Sequence, residues 1–168
     1  MARDYSHLFT PFKIGKMEVK NRIVLSPMGH NCALPSGAKS DWEIDYFEER
    51  ARGGAGMICT GCTPLTNKIG QGSHEGFLES DVVLPSFTDL CERVHRWGSK
   101  ICLQVTPGTG RNSYPNEFGD LPISASAIPL FFKPELKARP LEVEEIHDIV
   151  DKAAFAAGLA VDAGFDAI

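Results

Sequence analysis

Gln104 is the residue best equipped here to read a flat polar ring. Its carboxamide donates and accepts at once, matching a ring edge on which C=O and N–H alternate, and it follows the apolar run Ile101-Cys102-Leu103. Two further apolar runs break in a related way. Arg22-Ile23-Val24-Leu25 gives way to Ser26-Pro27-Met28-Gly29, and Met57-Ile58-Cys59 to Thr60-Gly61-Cys62-Thr63. Small residues at such breaks let a flat ligand lie close to the backbone. Each break alone reads first as an ordinary passage from strand to loop. Three on one rim, Ser26-Pro27-Met28-Gly29, Thr60-Gly61-Cys62-Thr63 and Gln104-Val105-Thr106-Pro107, read as a binding site. His30 and Asn31 come next, as substrate-side candidates; His30 reads first as a solvated loop histidine and second as a ligand contact.

Other reactive residue types carry less. Cys59-x-x-Cys62 has the spacing of a redox or zinc half-motif. Yet Cys59 falls inside an apolar run, no second pair follows, and no helix N-terminus stands by to lower a thiol pKa. Cys59 is therefore assigned to core packing. His74, His95 and His147 fall in a polar loop or on helices and read as surface residues. The glycine-rich pieces GQGSHEG and PGTGR do not open a helix after a strand, as a dinucleotide fingerprint requires. No P-loop spacing, Ser-His-Asp set or metal site is legible. A net charge of −5 with scattered Lys and Arg gives no footprint for nucleic acid. No apolar run approaches the roughly 20 residues that span a bilayer, and MARDYSHLFTPF lacks the layout of a signal peptide. Five cysteines at irregular spacing suit reduced thiols and a cytoplasmic location.

Something must hold three strand ends side by side. In SDWEIDYFEERARGG, Ser40 and Glu43 have capping-box spacing, Trp42, Tyr46 and Phe47 form an apolar stripe, and Gly53-Gly54 stop the helix. PSFTDLCERVHRWGS carries Phe87, Leu90, Cys91, Val94 and Trp97 at 3–4 spacing. LEVEEIHDIVDKAAFAAGLAVDAG places Ile146, Ile149, Val150, Ala153, Ala157 and Ala160 on one face, and its acidic start suits the helix dipole. Each helix is followed within a few residues by a short apolar run, so the order is β-α-β-α-β-α-β, the pattern of a parallel sheet covered by helices. Strands are expected near residues 22–26, 56–60, 100–105 and 165–168, with a hairpin lid over about 12–20. The strand-to-helix connections, 26–40, 60–84 and 105–141, are long. Loops of that length are uncommon without a task, and in barrels and doubly wound sheets alike the site lies on the strands' C-terminal side. A (β/α)₈ barrel takes about 250 residues; these 168 read as a single incomplete domain, the N-terminal half of one.

LFTPFKIGKMEVKNRIVLSPMG, YFEERARGGAGMI, KICLQV and LEVEEIHDIVDKAAFAAGLAVDAGFDAI together resemble the Old Yellow Enzyme family of FMN-dependent NAD(P)H oxidoreductases. Within it they are nearest the 2,4-dienoyl-CoA reductase and bile-acid-type branch. The resemblance implies FMN as cofactor and NAD(P)H as reductant. Hydride would pass through the flavin to an activated C=C bond of a small-molecule substrate of the enone or enoyl type. It implies that Ser26, Pro27, Met28 and Gly29 run along the flavin ring, with glycine at position 29 where Thr or Cys often tunes the flavin. Gly61 and Cys62 match the small pair beside the ring, cysteine standing where Ala or Gly is usual, and Gln104 matches the glutamine on the ring's pyrimidine end. The family's His-x-Gly-Arg is replaced by Thr106-Pro107-Gly108-Thr109-Gly110-Arg111, which reshapes that loop.

The family's substrate-gripping histidines, proton-donor tyrosine and phosphate site are expected beyond Ile168, so no catalytic residue is assigned in this chain. The chain by itself is expected to bind FMN weakly or not at all and to be inactive. Homo-oligomerisation is compatible with this reading; nucleic-acid and membrane partners are not. The rival is a truncated, non-catalytic half-barrel acting as an oligomerising or partner-binding module. A dihydroorotate-dehydrogenase-like or aldolase-like barrel is the enzymatic runner-up. It is disfavoured because Pro-Met-Gly with Arg-Ala-x-Gly-Gly has no reason to occur there.

Overall fold

Three short parallel strands form the frame. The computed structural model describes residues 4–67, 76–113 and 120–168. In it β3 (Val24–Leu25), β4 (Met57–Cys59) and β6 (Lys100–Cys102) lie side by side in chain order. Val24 faces Met57, and Met57, Ile58 and Cys59 face Lys100, Ile101 and Cys102. A parallel bridge from Cys102 to Ala167 adds the fourth position. Each crossover runs through a helix: α1 (Asp41–Arg52), α2 (Leu84–His95) and α3 (Val143–Ala163). Sequential strand order with helical crossovers is the N-terminal half of a (β/α)₈ barrel. The antiparallel hairpin of β1 (Phe12–Ile14) and β2 (Met17–Val19) precedes it, turning on Gly15 at φ 59°.

Strand alternation divides the sheet into two faces. Ile58 and Ile101 point outward and are fully buried with Ile44, Phe47 and Ala51 of α1 and Leu90, Cys91 and Val94 of α2. A second cluster joins Leu65, Leu78, Phe87 and Leu103 to Ala156, Leu159, Ala160 and Ala163 of α3. Each large side chain so buried contributes about 1.5–3 kcal/mol. At the lower end Asn21 locks the first strand. Its Nδ2 donates to the Gly54 carbonyl at 2.7 Å and its Oδ1 accepts from the Ile23 N–H at 3.0 Å. Gly54 sits at φ 103°, and a Cβ on Gly56 would stand 2.5 Å from Asn21 Oδ1. The Lys-Asn-Arg and Gly-Gly motifs are thus two halves of one joint.

Four expectations need correction. In α1 the buried stripe is Glu43, Ile44, Phe47 and Ala51, whereas Trp42 is exposed and Tyr46 half-buried. Ser40 accepts from the Glu43 N–H, but the Glu43 side chain turns inward instead of completing a capping box. The reciprocal box forms at α3, between Glu142 and Glu145. In α3 Ile146 and Val150 are exposed, and burial falls on Ala156, Leu159, Ala160 and Ala163. With 21 residues α3 is about 31 Å long at 1.5 Å per residue. The 12-residue α2 is about 18 Å, so the first turns of α3 overhang it. Finally, the third long connection is not plain loop: β8 (Ile123–Ser124) and β9 (Arg139–Pro140) pair within it. No helix among the described residues is long and apolar enough to cross a membrane.

Candidate functional site

The rim is built by strands that run on past their breaks. β5 (Thr63–Pro64) continues β4 and pairs in parallel with β7 (Val105–Thr106), which continues β6. Between the pairs Cys59–Cys102 and Thr63–Val105, three residues on one strand face two on the other. The extra residue makes a bulge at Thr60-Gly61-Cys62, a device common beside active sites. Backbone hydrogen bonds carry the ladder across it, from Thr60 N–H to the Cys102 carbonyl at 3.0 Å and from Thr63 N–H to the Gln104 carbonyl at 2.8 Å.

Gly61 is buried under the end of the first strand. A Cβ there would lie 2.4 Å from the Met28 carbonyl oxygen and 3.0 Å from Gly29 Cα. No side chain fits, so the backbone of residues 28–29 rests directly on residue 61. Ser26, Pro27, Met28 and Gly29 are exposed along that edge, Gly61 lies beneath, and Gln104 stands exposed on the next strand. The Gln104 N–H is fixed on Thr60 Oγ1 at 3.1 Å, so its backbone is held while its carboxamide remains at the surface. Cys62 is half-buried and lines a cavity of about 140 Å³ with Pro64, Thr106, Gly108, Asn112 and Ser113. The seven ring-side candidates therefore lie along one edge of the sheet.

His30 does not join them at the surface. Its side chain is only 5% exposed, so the expectation of a solvated loop residue fails. The imidazole packs among Tyr46, Phe47 and Trp42 of α1, with ring centroids 4.1, 5.1 and 5.7 Å away. Among the described residues neither ring nitrogen has a hydrogen-bond partner; Nδ1 is 3.7 Å from Glu43 Oε1, beyond hydrogen-bond reach. Desolvation holds its pKa below the usual range, against the pull of the Glu43 carboxylate. Glu43 is itself paired with Lys39 at 2.7 Å, and the two side chains are 2% and 0% exposed. Asn31 is exposed and has the one non-glycine positive φ among the described residues, 54°. Periodicity could not find the Lys39–Glu43 pair, because an i,i+4 lysine and glutamate look like a solvated helix-end pair.

His95 is less free than expected of a surface residue. Its Nε2 lies 2.7 Å from Asp166 Oδ2, and Asp166 also accepts from Lys100 Nζ at 2.6 Å and the Ile101 N–H at 2.9 Å. Burial pushes the Asp166 carboxyl up, but those three hydrogen bonds together hold it below the ordinary carboxylate range. His147 is exposed, and His74 lies outside the described residues. Cys59 is half-buried on the inner face of the strand and not part of either apolar cluster. No group of three or more His, Cys, Asp and Glu side chains gathers as a metal site among the described residues.

Residues 7–168 match the NADH:flavin oxidoreductase / NADH oxidase family. The chain belongs to that family. It is 36% identical over 173 residues to a cinnamate reductase of Clostridium sporogenes, covering 100% of this chain and 26% of that protein. To an NADPH dehydrogenase of Listeria monocytogenes it is 30% identical over 167 residues, covering 97% of this chain and 47% of the other. It superposes on the Old Yellow Enzyme homologue of Zymomonas mobilis with a TM-score of 0.80 and 27% identity, over 95% of this chain and 46% of that one. The chain thus spans from 26% to 47% of the length of these relatives.

Proposed function

We propose that the edge formed by Ser26, Pro27, Met28, Gly29, Gly61, Cys62 and Gln104 is one wall of an FMN site. On this reading the protein is an oxidoreductase that reduces activated C=C bonds with NAD(P)H. The observation that carries the reading is the contact between Gly61 and the Met28–Gly29 backbone. It seats the first strand's end closely on the second, beside an exposed carboxamide on the third, an arrangement that suits the flat face and polar edge of an isoalloxazine. When bound, FMN supplies hydride transfer between NAD(P)H and the substrate double bond. The protein's share is orientation. Ser26 to Gly29 offer backbone and the exposed Met28 side chain along the ring, Gln104 pairs with its C=O and N–H edge, and Cys62 borders it from the bulge.

The substrate class rests on kinship. One relative is a cinnamate reductase, and cinnamate carries a C=C bond conjugated to a carboxylate. The described residues offer the ring a wall and supply no proton donor assigned to the reaction.

Fluorescence quenching of FMN and of lumiflavin, which has the ring without the phosphate, tests this on the chain itself. Both should bind, and Gln104→Ala should weaken both alike. Lumiflavin that fails to bind, or an unchanged Gln104→Ala variant, would overturn the assignment.

A further inference from the structure

Two cysteines stand opposite one another on the inner face of the sheet. Cys59 of β4 and Cys102 of β6 are register partners in a parallel pair, so their side chains leave the sheet on the same side from backbones about 4.8 Å apart. Their neighbours Ile58 and Ile101 point the other way, into the core under α1 and α2. Both cysteines are free and half-buried, and their pairing sets the two thiols on the same side of neighbouring strands. Burial pushes both thiols up. At neutral pH the pair is protonated, a poor nucleophile, and a ligand has to displace protons to bind.

The surroundings define what could do so. Met57 precedes Cys59 by two residues on β4 and shares its face, adding a thioether to the two thiols. No carboxylate or imidazole completes a cluster with them among the described residues. Zinc, which takes three or four protein ligands, is poorly served. A sulfur-only set selects soft ions such as Cu(I). The remaining cysteines stand elsewhere: Cys32 is exposed, with its thiol donating to the His30 carbonyl, Cys62 borders the rim cavity, and Cys91 is buried among the helices with its thiol pushed up to about 12.

We propose that Cys59 and Cys102 form a two-thiolate site for one soft monovalent ion of the Cu(I) class, with the Met57 thioether as a third donor. Binding forms two metal–sulfur bonds and breaks two S–H bonds. Two protons leave to solvent, the complex carries one negative charge, and neither sulfur nor metal changes oxidation state.

The test is anaerobic titration of the reduced whole chain with Cu(I) against a competing chromogenic chelator. One ion per chain should be retained. Cys59→Ser and Cys102→Ser should each weaken it by more than the roughly 10–100-fold typical of an outer-shell change. The Cys32→Ser/Cys62→Ser variant leaves both strands' inner-face cysteines in place and should bind as the parent does. X-ray absorption on the loaded parent should give a shell of two or three sulfurs. The proposal is overturned if the ion survives Cys59→Ser/Cys102→Ser, if Cys32→Ser/Cys62→Ser loses it, or if nitrogen or oxygen enters the shell.

Discussion

Replacing Glu43 by leucine should unfold this domain at much lower temperature, and replacing Lys39 as well should restore it. The Lys39 ammonium has 0% side-chain exposure and lies 2.7 Å from Glu43 Oε1, with the Phe87 ring 5.6 Å away. Removing the carboxylate breaks a buried ion pair from one side, a change that costs about 3–5 kcal/mol. That is a large share of the roughly 5–15 kcal/mol that holds a domain together. At about 2–4 °C per kcal/mol for a chain of this size, Glu43→Leu should lower Tm by about 6–20 °C. In Lys39→Met/Glu43→Leu no charge remains to be desolvated. Such exchanges are neutral or stabilising by about 1–4 kcal/mol, so its Tm should equal or exceed that of the parent. Thermal unfolding by circular dichroism reads both. A Glu43→Leu variant within about 1 kcal/mol of the parent, or a double variant as weak as the single one, would refute the reasoning.

Three other outcomes are expected. His30 has a folded pKa below its unfolded value of about 6.5. The unfolded chain therefore takes up its proton first as pH falls, and stability should be full above about pH 6.5 and decline as pH drops through the folded pKa. Urea midpoints from pH 5 to 8 should show this decline, flattened in His30→Gln; the groups around the ring are Glu43, Lys39 and Arg50, and an unchanged profile would remove His30 as its source. Gly61→Ala drives a Cβ to 2.4 Å from the Met28 carbonyl and should cost about 1–3 kcal/mol. Gly158→Ala meets nothing within 4 Å inside α3 and should gain about 0.5–1 kcal/mol; equal effects from the two would contradict the packing at the rim. Asn21→Ala strips partners from the Gly54 carbonyl and the Ile23 N–H, and chemical denaturation should show a loss of about 1–3 kcal/mol.

Much of this architecture can be read directly from residue patterns. The alternation of helical spacing with short apolar runs yields the β-α order because each outward residue, such as Ile58 and Ile101, must meet a helix. Small residues at strand ends mark the rim for the same steric reason that Gly61 fits under Met28. What stayed hidden depends on contacts between distant residues. The bulge at Thr60-Gly61-Cys62 is a mismatch between two strands, invisible in either one. The two-residue strands β8 and β9 are too short to show a period. In α3 alanines lie on several faces, so composition cannot say which one meets α2, and the overhang decides it. His30 follows Gly29 on the chain, yet three aromatic rings of α1 take its side chain away from the rim. No neighbour-by-neighbour reading predicts that.

The central claim, that one edge of this sheet is a flavin-ring wall, is tested most directly by titrating lumiflavin into the isotopically labelled chain and following its amide and side-chain resonances by NMR. Shifts are expected at Ser26, Met28, Gly29, Gly61, Cys62 and the Gln104 carboxamide, with the helices on the opposite face unmoved. Shifts confined to the groove along Ile23, Glu49 and Arg50 beside α1, or none at millimolar lumiflavin, would contradict it.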